Sequence, residues 1–225
     1  MKWSYADLRP VDIWNANATG TYSGISTSGN YAADGLNSTY LRGVQFTDAE
    51  GVVAFETIVP GHYDGRATHI HVLAHANSTI LANGTLANNT GSVSHIGQLF
   101  LPEALRSAVE AVYPYSSNIQ AITSNDDDMW APAQAGTDYD PYIEYTYLGD
   151  CIEDGLLAWI QIGIDTTVDY SSAASAAAYY TAQGGIANTQ SSSGGGGGDM
   201  GGSGGNMTMG GGNGTTGGNG TAPPS

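Results

Sequence analysis

Nine residues, ATHIHVLAH at positions 67–75, carry the clearest structural pattern in this chain. They alternate between two faces with a period of two, which is the period of a β-strand and not of a helix. One face carries His69, His71, Leu73 and His75, and the other carries Ile70, Val72 and Ala74. We therefore expect a β-strand that presents a row of imidazoles on one face.

Other short β-prone segments follow one another along the chain, separated by turn signals. They occupy residues 10–14, 51–59, 97–101, 142–148 and 155–164. Only residues 103–112, EALRSAVEAV, have apolar side chains at helical spacing, with Leu105, Val109 and Val112 on one side. Many short strands with a single short helix predict an all-β sandwich.

Glycine is distributed very unevenly, since 16 of the 33 glycines lie in the last 35 residues. From residue 171 the composition shifts to Ala, Tyr and Ser, and then to almost pure Gly. Such a segment cannot bury enough apolar surface to fold. The sequence therefore predicts one domain over residues 1–170 and a disordered Ala/Ser/Gly-rich tail over residues 171–225.

The chain is strongly acidic, with 21 Asp and Glu against 5 Lys and Arg and a formal net charge of −16. Nucleic acids and anionic membrane surfaces require clustered Lys and Arg, so neither is expected as a partner. No apolar run approaches the 18 residues that suggest a membrane-spanning helix. The acidity suits a secreted domain instead.

Eight Asn-x-Ser/Thr motifs occur, several more than chance predicts for this composition. They begin at Asn17, Asn37, Asn77, Asn83, Asn88, Asn206, Asn213 and Asn219. This excess indicates a secreted glycoprotein. The N-terminal residues MKWSYADLRP lack an apolar region, so we expect that the signal peptide is absent from this chain.

The segment PGHYDGRATHIH, residues 60–71, concentrates groups that bind metals. His69 and His71 would have Cβ atoms about 7 Å apart on one strand face, close enough to share a metal; two half-exposed strand residues are the alternative. A Tyr63 phenolate would favour Fe(III) over Zn(II) or Cu(I). A second phenolate could come from Tyr22, which could equally be one of 14 packing or surface tyrosines.

The order of three segments resembles the intradiol ring-cleaving dioxygenases, above all their secreted fungal branch. The segments are VDIWNANATGTYSG, then LRGVQFTDAEGVVAFETIVPGHYDGRATHIHV, then HIGQLF. The resemblance spans residues 11–164 and extends to catechol 1,2-dioxygenase and protocatechuate 3,4-dioxygenase. It implies the β-sandwich of that family and a ferric iron, Fe(3+), as cofactor.

Position by position, the resemblance assigns six residues to the active site. Its implied iron ligands are Tyr22, Tyr63, His69 and His71, and its further catalytic residues are Arg66 and Gln98. It also implies that Tyr22 takes up a substrate proton and that Arg66 stabilises electron density developing on the ring. The implied reaction inserts O2 into a catechol-type aromatic diol and yields a muconate-type diacid.

Two departures from the family accompany the resemblance. Only about ten residues precede the strand at position 11, where the family usually has a sizeable segment, so that N-terminal segment is expected to be missing. Five residues separate Tyr63 from His69, fewer than in the bacterial relatives. We expect the shorter connection to widen the substrate pocket.

The remaining candidates are expected to play structural roles. His62 has the opposite strand parity to the predicted ligands, which favours a supporting or exposed role. His75 would lie about 13 Å from His71 along the strand, too far to share a metal with it. His95 is expected in a loop before a strand, with a structural hydrogen bond. Trp14 is expected in the core. The acidic run at residues 126–128 predicts a solvated loop more than a calcium site.

Two classes of function stay open at this point. The first is an extracellular intradiol dioxygenase acting on an aromatic diol and O2. The second is a non-catalytic secreted or cell-wall-associated β-sandwich glycoprotein, favoured by the tail and the glycosylation motifs. A zinc hydrolase ranks third because no third zinc ligand accompanies the histidine pair. The oligomeric state is open, with a homodimer as one alternative.

Overall fold

The structure is a computed structural model that describes residues 9–26, 30–87 and 90–188. Strands dominate it, and every pairing between them is antiparallel. The all-β prediction is confirmed.

A four-stranded sheet forms the centre of the fold. Its strands are β1 Pro10–Trp14, β2 Arg42–Phe46, β3 His69–Ala76 and β4 Ser92–Phe100. They lie side by side in the order β2-β1-β3-β4. The imidazole-bearing strand predicted from period-two alternation is therefore β3, with a neighbour on each side.

The register of the sheet brings distant parts of the sequence to one level. His71 on β3 lies opposite Trp14 on β1 and opposite Gln98 on β4. A register shift, typical of a β-bulge, interrupts the β3–β4 pairing between Ala74 and His75. The regular part of the ladder, from His69 to Ala74, thus holds both predicted histidine ligands.

Two helices and a hairpin follow the sheet. Helix α1 spans Glu103–Glu110 and ends two residues before the predicted helix does. The four-residue helix α2 at Ala131–Gln134 was not predicted. Strands β5 Glu144–Tyr147 and β6 Leu156–Trp159 pair with each other and are shorter than expected. Within the described residues, neither helix is long and apolar enough to cross a bilayer.

The prediction of a strand at residues 51–59 is wrong. These residues form no strand, because a strand requires a hydrogen-bonded neighbour and, among the described residues, the edge strand β2 pairs only with β1. The carbonyl of Val59 instead accepts a hydrogen bond of 2.7 Å from the Tyr115 hydroxyl. The apolar alternation of this segment reflects packing and not a sheet ladder.

The expectation of a disordered tail needs correction for residues 171–188. This stretch contains a 3₁₀ turn at Ser171–Ala173 and a hairpin of β7 Ala178–Thr181 and β8 Gly184–Ala187. Ala174 and Ala177 pack against the core, so a small-residue composition suffices for burial here. The glycine-rich remainder of the predicted tail lies outside the described residues, and the division at residue 170 stays a prediction.

Candidate metal centre

The turn that follows β1 carries Tyr22 into the protein core. The side-chain oxygen of Asn17 accepts hydrogen bonds from the backbone N–H groups of Thr19 and Thr21, at 2.9 and 3.0 Å. Gly20 has φ of +76°, a conformation that favours glycine. This tight turn buries Tyr22, which is only 1% exposed.

The turn that carries Tyr63 packs directly on the turn that carries Tyr22. The Gly61 N–H donates to the Asn17 carbonyl at 3.0 Å. A Cβ at Gly61 would overlap the Ala18 carbonyl oxygen, so a residue with a side chain would push the turns apart. The two tyrosine rings consequently meet edge to face, with centroids 5.5 Å apart.

The four predicted ligands come together at the level of His69 and His71. The Nε2 atoms of the two imidazoles are 3.2 Å apart. The Tyr63 hydroxyl lies 3.2 Å from His69 Nε2, and the Tyr22 hydroxyl lies 3.5 Å from the same atom. Two phenol oxygens and two imidazole nitrogens thus converge on one buried point.

The backbone fixes which nitrogen of His69 is available to a metal. His69 Nδ1 lies 2.6 Å from the Ala67 carbonyl oxygen, so Nδ1 carries the hydrogen and donates it. The lone pair then resides on Nε2, the atom that faces the other three groups. Burial, and secondarily the charge of Arg66, lower the pKa of His69 to about 3, so the ring is neutral.

The electrostatics of the two phenols indicate what kind of metal suits them. Burial, followed by the neighbouring Tyr63, raises the pKa of Tyr22 well above its usual value. A phenolate at this position therefore needs a strongly Lewis-acidic cation, and a hard oxygen and imidazole donor set suits ferric iron. In the described part of the chain no three His, Cys, Asp or Glu side chains form a metal-binding group.

Arg66 and Gln98 lie beside the cluster, as the family resemblance implies. Arg66 is 4% exposed, and its Nη2 donates a hydrogen bond to the Gln98 side-chain oxygen. Gln98 comes from β4, directly opposite His71 on β3. The sheet therefore places the predicted polar pair next to the predicted ligands.

Comparison with solved structures finds several similar chains, two of which are described below. One is an intradiol ring-cleavage dioxygenase from Tetranychus urticae, with 29% identity, a TM-score of 0.56 and coverage of 72% of this chain and 73% of that one. The other is a dioxygenase with 27% identity, a TM-score of 0.56 and coverage of 72% of each chain. The resemblance to the intradiol ring-cleaving dioxygenases is confirmed. No protein-family model and no curated protein matches the sequence.

Within this intradiol dioxygenase fold, the prediction for the acidic run at residues 126–128 is wrong for one residue. Asp126 and Asp127 are exposed, but Asp128 is buried and pairs with Arg66, whose Nε lies 2.9 Å from Asp128 Oδ2. Burial by itself would raise the pKa of Asp128, yet hydrogen bonds from Arg66 and from two backbone N–H groups lower it. A buried arginine requires a counter-ion, so the burial of Arg66 is the feature that would have predicted a buried Asp128.

The other histidines of the dioxygenase fold contact groups outside the cluster. His62 is buried, with Nδ1 2.7 Å from Glu110 Oε1 and Nε2 3.0 Å from the carbonyl oxygen of Gln120. It thus ties the Tyr63 turn to α1 and is not solvent-exposed. His75 is buried, and its Nε2 lies 4.0 Å from Asp12 Oδ2. His95 lies on β4 and not in a loop.

Trp14 lies in the core, as expected, and also contacts a predicted ligand. Its indole stacks on the His71 imidazole with 4.6 Å between centroids. Sequence reasoning gave Trp14 only a packing role, because the sheet register that pairs it with His71 is a tertiary feature.

Proposed function

We propose that this chain is an Fe(III)-dependent intradiol dioxygenase that inserts both atoms of O2 into catechol-type aromatic diols, giving muconate-type diacids. The observation that carries the proposal is the convergence of two phenols and two imidazoles, with His69 Nε2 within 3.5 Å of the other three groups. The dioxygenases with the same fold support an oxidoreductase of this family.

Tyr22, Tyr63, His69 and His71 would hold the iron. When bound, ferric iron supplies the Lewis-acid and redox chemistry that makes an aromatic diol reactive toward O2. The protein contributes a buried site and a fixed tautomer at His69, whose Nδ1 hydrogen is engaged by the Ala67 carbonyl. This arrangement presents the Nε2 lone pair without any rearrangement of the ring.

Tyr22 has a second role in the proposal: once its Oη no longer binds the metal, that atom would take up a proton from a substrate hydroxyl. Its buried environment raises the pKa of its phenol well above the usual value, so the phenolate form is a strong base there. A strong base close to the bound diol favours the doubly deprotonated substrate.

Arg66 supplies the positive charge of the site. Its side chain is buried beside Gln98, in surroundings where charge interactions are stronger than in water. A fixed cation of this kind stabilises electron density that develops on the ring and on the attacking oxygen. Gln98 holds the guanidinium by accepting one of its hydrogen bonds.

The test is oxygen consumption with catechol under ¹⁸O2, using chain reconstituted with Fe(III). We expect O2 uptake and a ring-opened diacid that contains two ¹⁸O atoms. A His71→Ala variant that remains folded by circular dichroism should consume no O2, whereas His95→Ala, outside the cluster, should retain activity. An iron-loaded wild type that consumes no O2, or a product with one labelled atom, contradicts the proposal.

We also propose that the protein is secreted and N-glycosylated, and that Asn83 is an occupied site. Asn83 is exposed in a turn, and its Oδ1 accepts a hydrogen bond of 2.8 Å from the Thr85 hydroxyl within the same motif. Asn37 differs, because its side-chain oxygen accepts the Gly185 N–H from β8. Expression through a eukaryotic secretory pathway should give a glycosidase-sensitive product whose mass falls in Asn83→Gln and changes less in Asn37→Gln; a glycan-free product contradicts this.

A further inference from the structure

Asp128 uses both carboxylate oxygens within the described part of the fold. Oδ2 accepts hydrogen bonds from Arg66 Nε at 2.9 Å and from the Ala67 N–H at 2.8 Å. Oδ1 accepts from the Trp130 N–H at 2.7 Å and the Ala131 N–H at 3.0 Å, with Arg66 Nη2 at 3.4 Å. The carboxylate thereby fixes the first residue of α2, Ala131, relative to Ala67, which lies two residues before β3.

Two of these contacts lead to the candidate metal centre. The first is the contact of Asp128 with Arg66 Nε, which leaves Arg66 Nη2 to donate to the Gln98 side-chain oxygen. The guanidinium is thus hydrogen-bonded on one side to Asp128 in the loop and on the other to Gln98 in the sheet. The second holds the N–H of Ala67, the residue whose carbonyl accepts the His69 Nδ1 hydrogen. One carboxylate therefore acts on the active-site cation directly and on a ligand imidazole through a single residue.

Asp128 and Arg66 also form an ion pair inside the protein. The Asp128 side chain is fully buried and that of Arg66 nearly so, so each charge depends on the other for compensation. Charge-assisted hydrogen bonds in such surroundings are short and directional. Neutral side chains at position 128 could cap α2 but could not balance the guanidinium.

We propose that Asp128 is a positioning residue for catalysis: it sets where the Arg66 guanidinium lies beside Gln98 and, through Ala67, holds the orientation of His69. The inference rests on the proposed dioxygenase function. In this inference Asp128 acts through Arg66 and Ala67, the two residues that its Oδ2 contacts, and takes no direct part in the reaction.

The experiment compares Asp128→Asn with the matched control Asp126→Asn, an exposed aspartate of the same acidic run. Iron content, the visible spectrum, kcat and KM for catechol are measured on each iron-reconstituted chain. We expect Asp128→Asn to bind iron while kcat falls about 100-fold, a loss typical of small misplacements at an active site, with KM changed less than fivefold. Asp126→Asn should match the wild type.

A double-mutant cycle separates positioning from a purely structural role. If Asp128 acts mainly through Arg66, Asp128→Asn should lower kcat by less than about threefold when it is added to Arg66→Gln. Should Asp128→Asn fail to fold, Asp128→Glu keeps the charge but displaces it, and we expect a loss in kcat with iron retained.

The outcomes are distinguishable. A wild-type chain that binds iron and cleaves catechol, together with a folded Asp128→Asn or Asp128→Glu of unchanged kcat, overturns this inference alone. Additive effects in the cycle with Arg66→Gln overturn the claim that Asp128 positions Arg66. A wild-type chain without iron-dependent O2 uptake overturns the proposed function and this inference together.

Discussion

The indole of Trp14 lies parallel to the imidazole of His71, with 3° between the ring planes and 4.6 Å between the centroids. The contact arises from the sheet register, because Trp14 on β1 and His71 on β3 are direct partners. The Arg42 guanidinium carbon also lies over the indole ring, 6.0 Å from its centroid. Through this stacking contact, β1 restricts the orientation of His71, one of the two predicted histidine ligands.

Replacing Trp14 by Leu should therefore weaken iron binding while the chain still folds. Supporting contacts of a metal ligand are typically worth about 10–100-fold in affinity, and we expect a loss in that range. Trp14→Phe keeps an aromatic ring against His71 and should lose less than half as much in free energy. Competition with a chelator measures the affinity. Trp159 is exposed, so Trp159→Leu serves as the control. If Trp14→Leu and Trp159→Leu bind iron with the same affinity in this competition, the prediction is contradicted.

Gly61 offers a test of how the two tyrosines are brought together. A Cβ at this position would overlap the Ala18 carbonyl oxygen in the neighbouring turn, so Gly61→Ala must separate the two turns. We expect a loss of about 1–3 kcal/mol in the free energy of unfolding, as for other overpacked sites, and weaker iron binding. Denaturant titration and metal analysis measure these effects.

Gly136→Ala serves as the matched control for that substitution, because a Cβ there would meet nothing within 4 Å. It should leave both stability and iron content within error of the wild type. If Gly61→Ala behaves as Gly136→Ala does, close contact between the turns is not what sets the distance between Tyr22 and Tyr63.

Asp12 should make stability depend on pH. Its carboxyl lies on β1 near Arg42 on β2 and His75 on β3, and burial, only partly opposed by Arg42, raises its pKa to about 7. The native state then retains a proton that the unfolded state has lost between about pH 4 and pH 7. Stability contributed by Asp12 must therefore fall as pH rises through that range.

The measurement is the difference in unfolding free energy between Asp12→Asn and the wild type at several pH values. Taking the difference removes the contribution of titratable groups that do not contact Asp12. Relative to wild type, Asp12→Asn should gain about 1–2 kcal/mol between pH 4 and pH 7, a value reduced for the 28% exposure of the carboxylate. A difference that stays constant across this range would contradict the raised pKa of Asp12.

Local pattern was enough to predict the parts of the fold that carry the ligands. Alternation alone indicated the strand of His69 and His71, and apolar spacing indicated α1. The family resemblance then identified Tyr22 among 14 tyrosines, which no periodicity can do. The type and order of the predicted ligands can be read from the sequence because each of them belongs to a recognisable turn or strand.

Features that depend on a distant partner could not be predicted in this way. Asp128 stands in an acidic run and resembles a solvated side chain until Arg66 is placed 62 positions away in sequence. Residues 51–59 alternate like a strand but have no neighbouring strand to pair with. The same holds for Trp14, whose contact with His71 exists only once the register of β1 and β3 is known.

The central claim is that Tyr22, Tyr63, His69 and His71 hold one ferric ion, and its most direct test is metal analysis combined with visible absorption. Purified chain reconstituted with Fe(III) should contain one iron per chain and show a broad phenolate-to-iron charge-transfer band. The band should weaken in Tyr63→Phe, which keeps the Tyr22 phenolate, and stay unchanged in Tyr142→Phe, a tyrosine outside the cluster. A reconstituted wild-type chain that is folded, colourless and free of iron would contradict the claim.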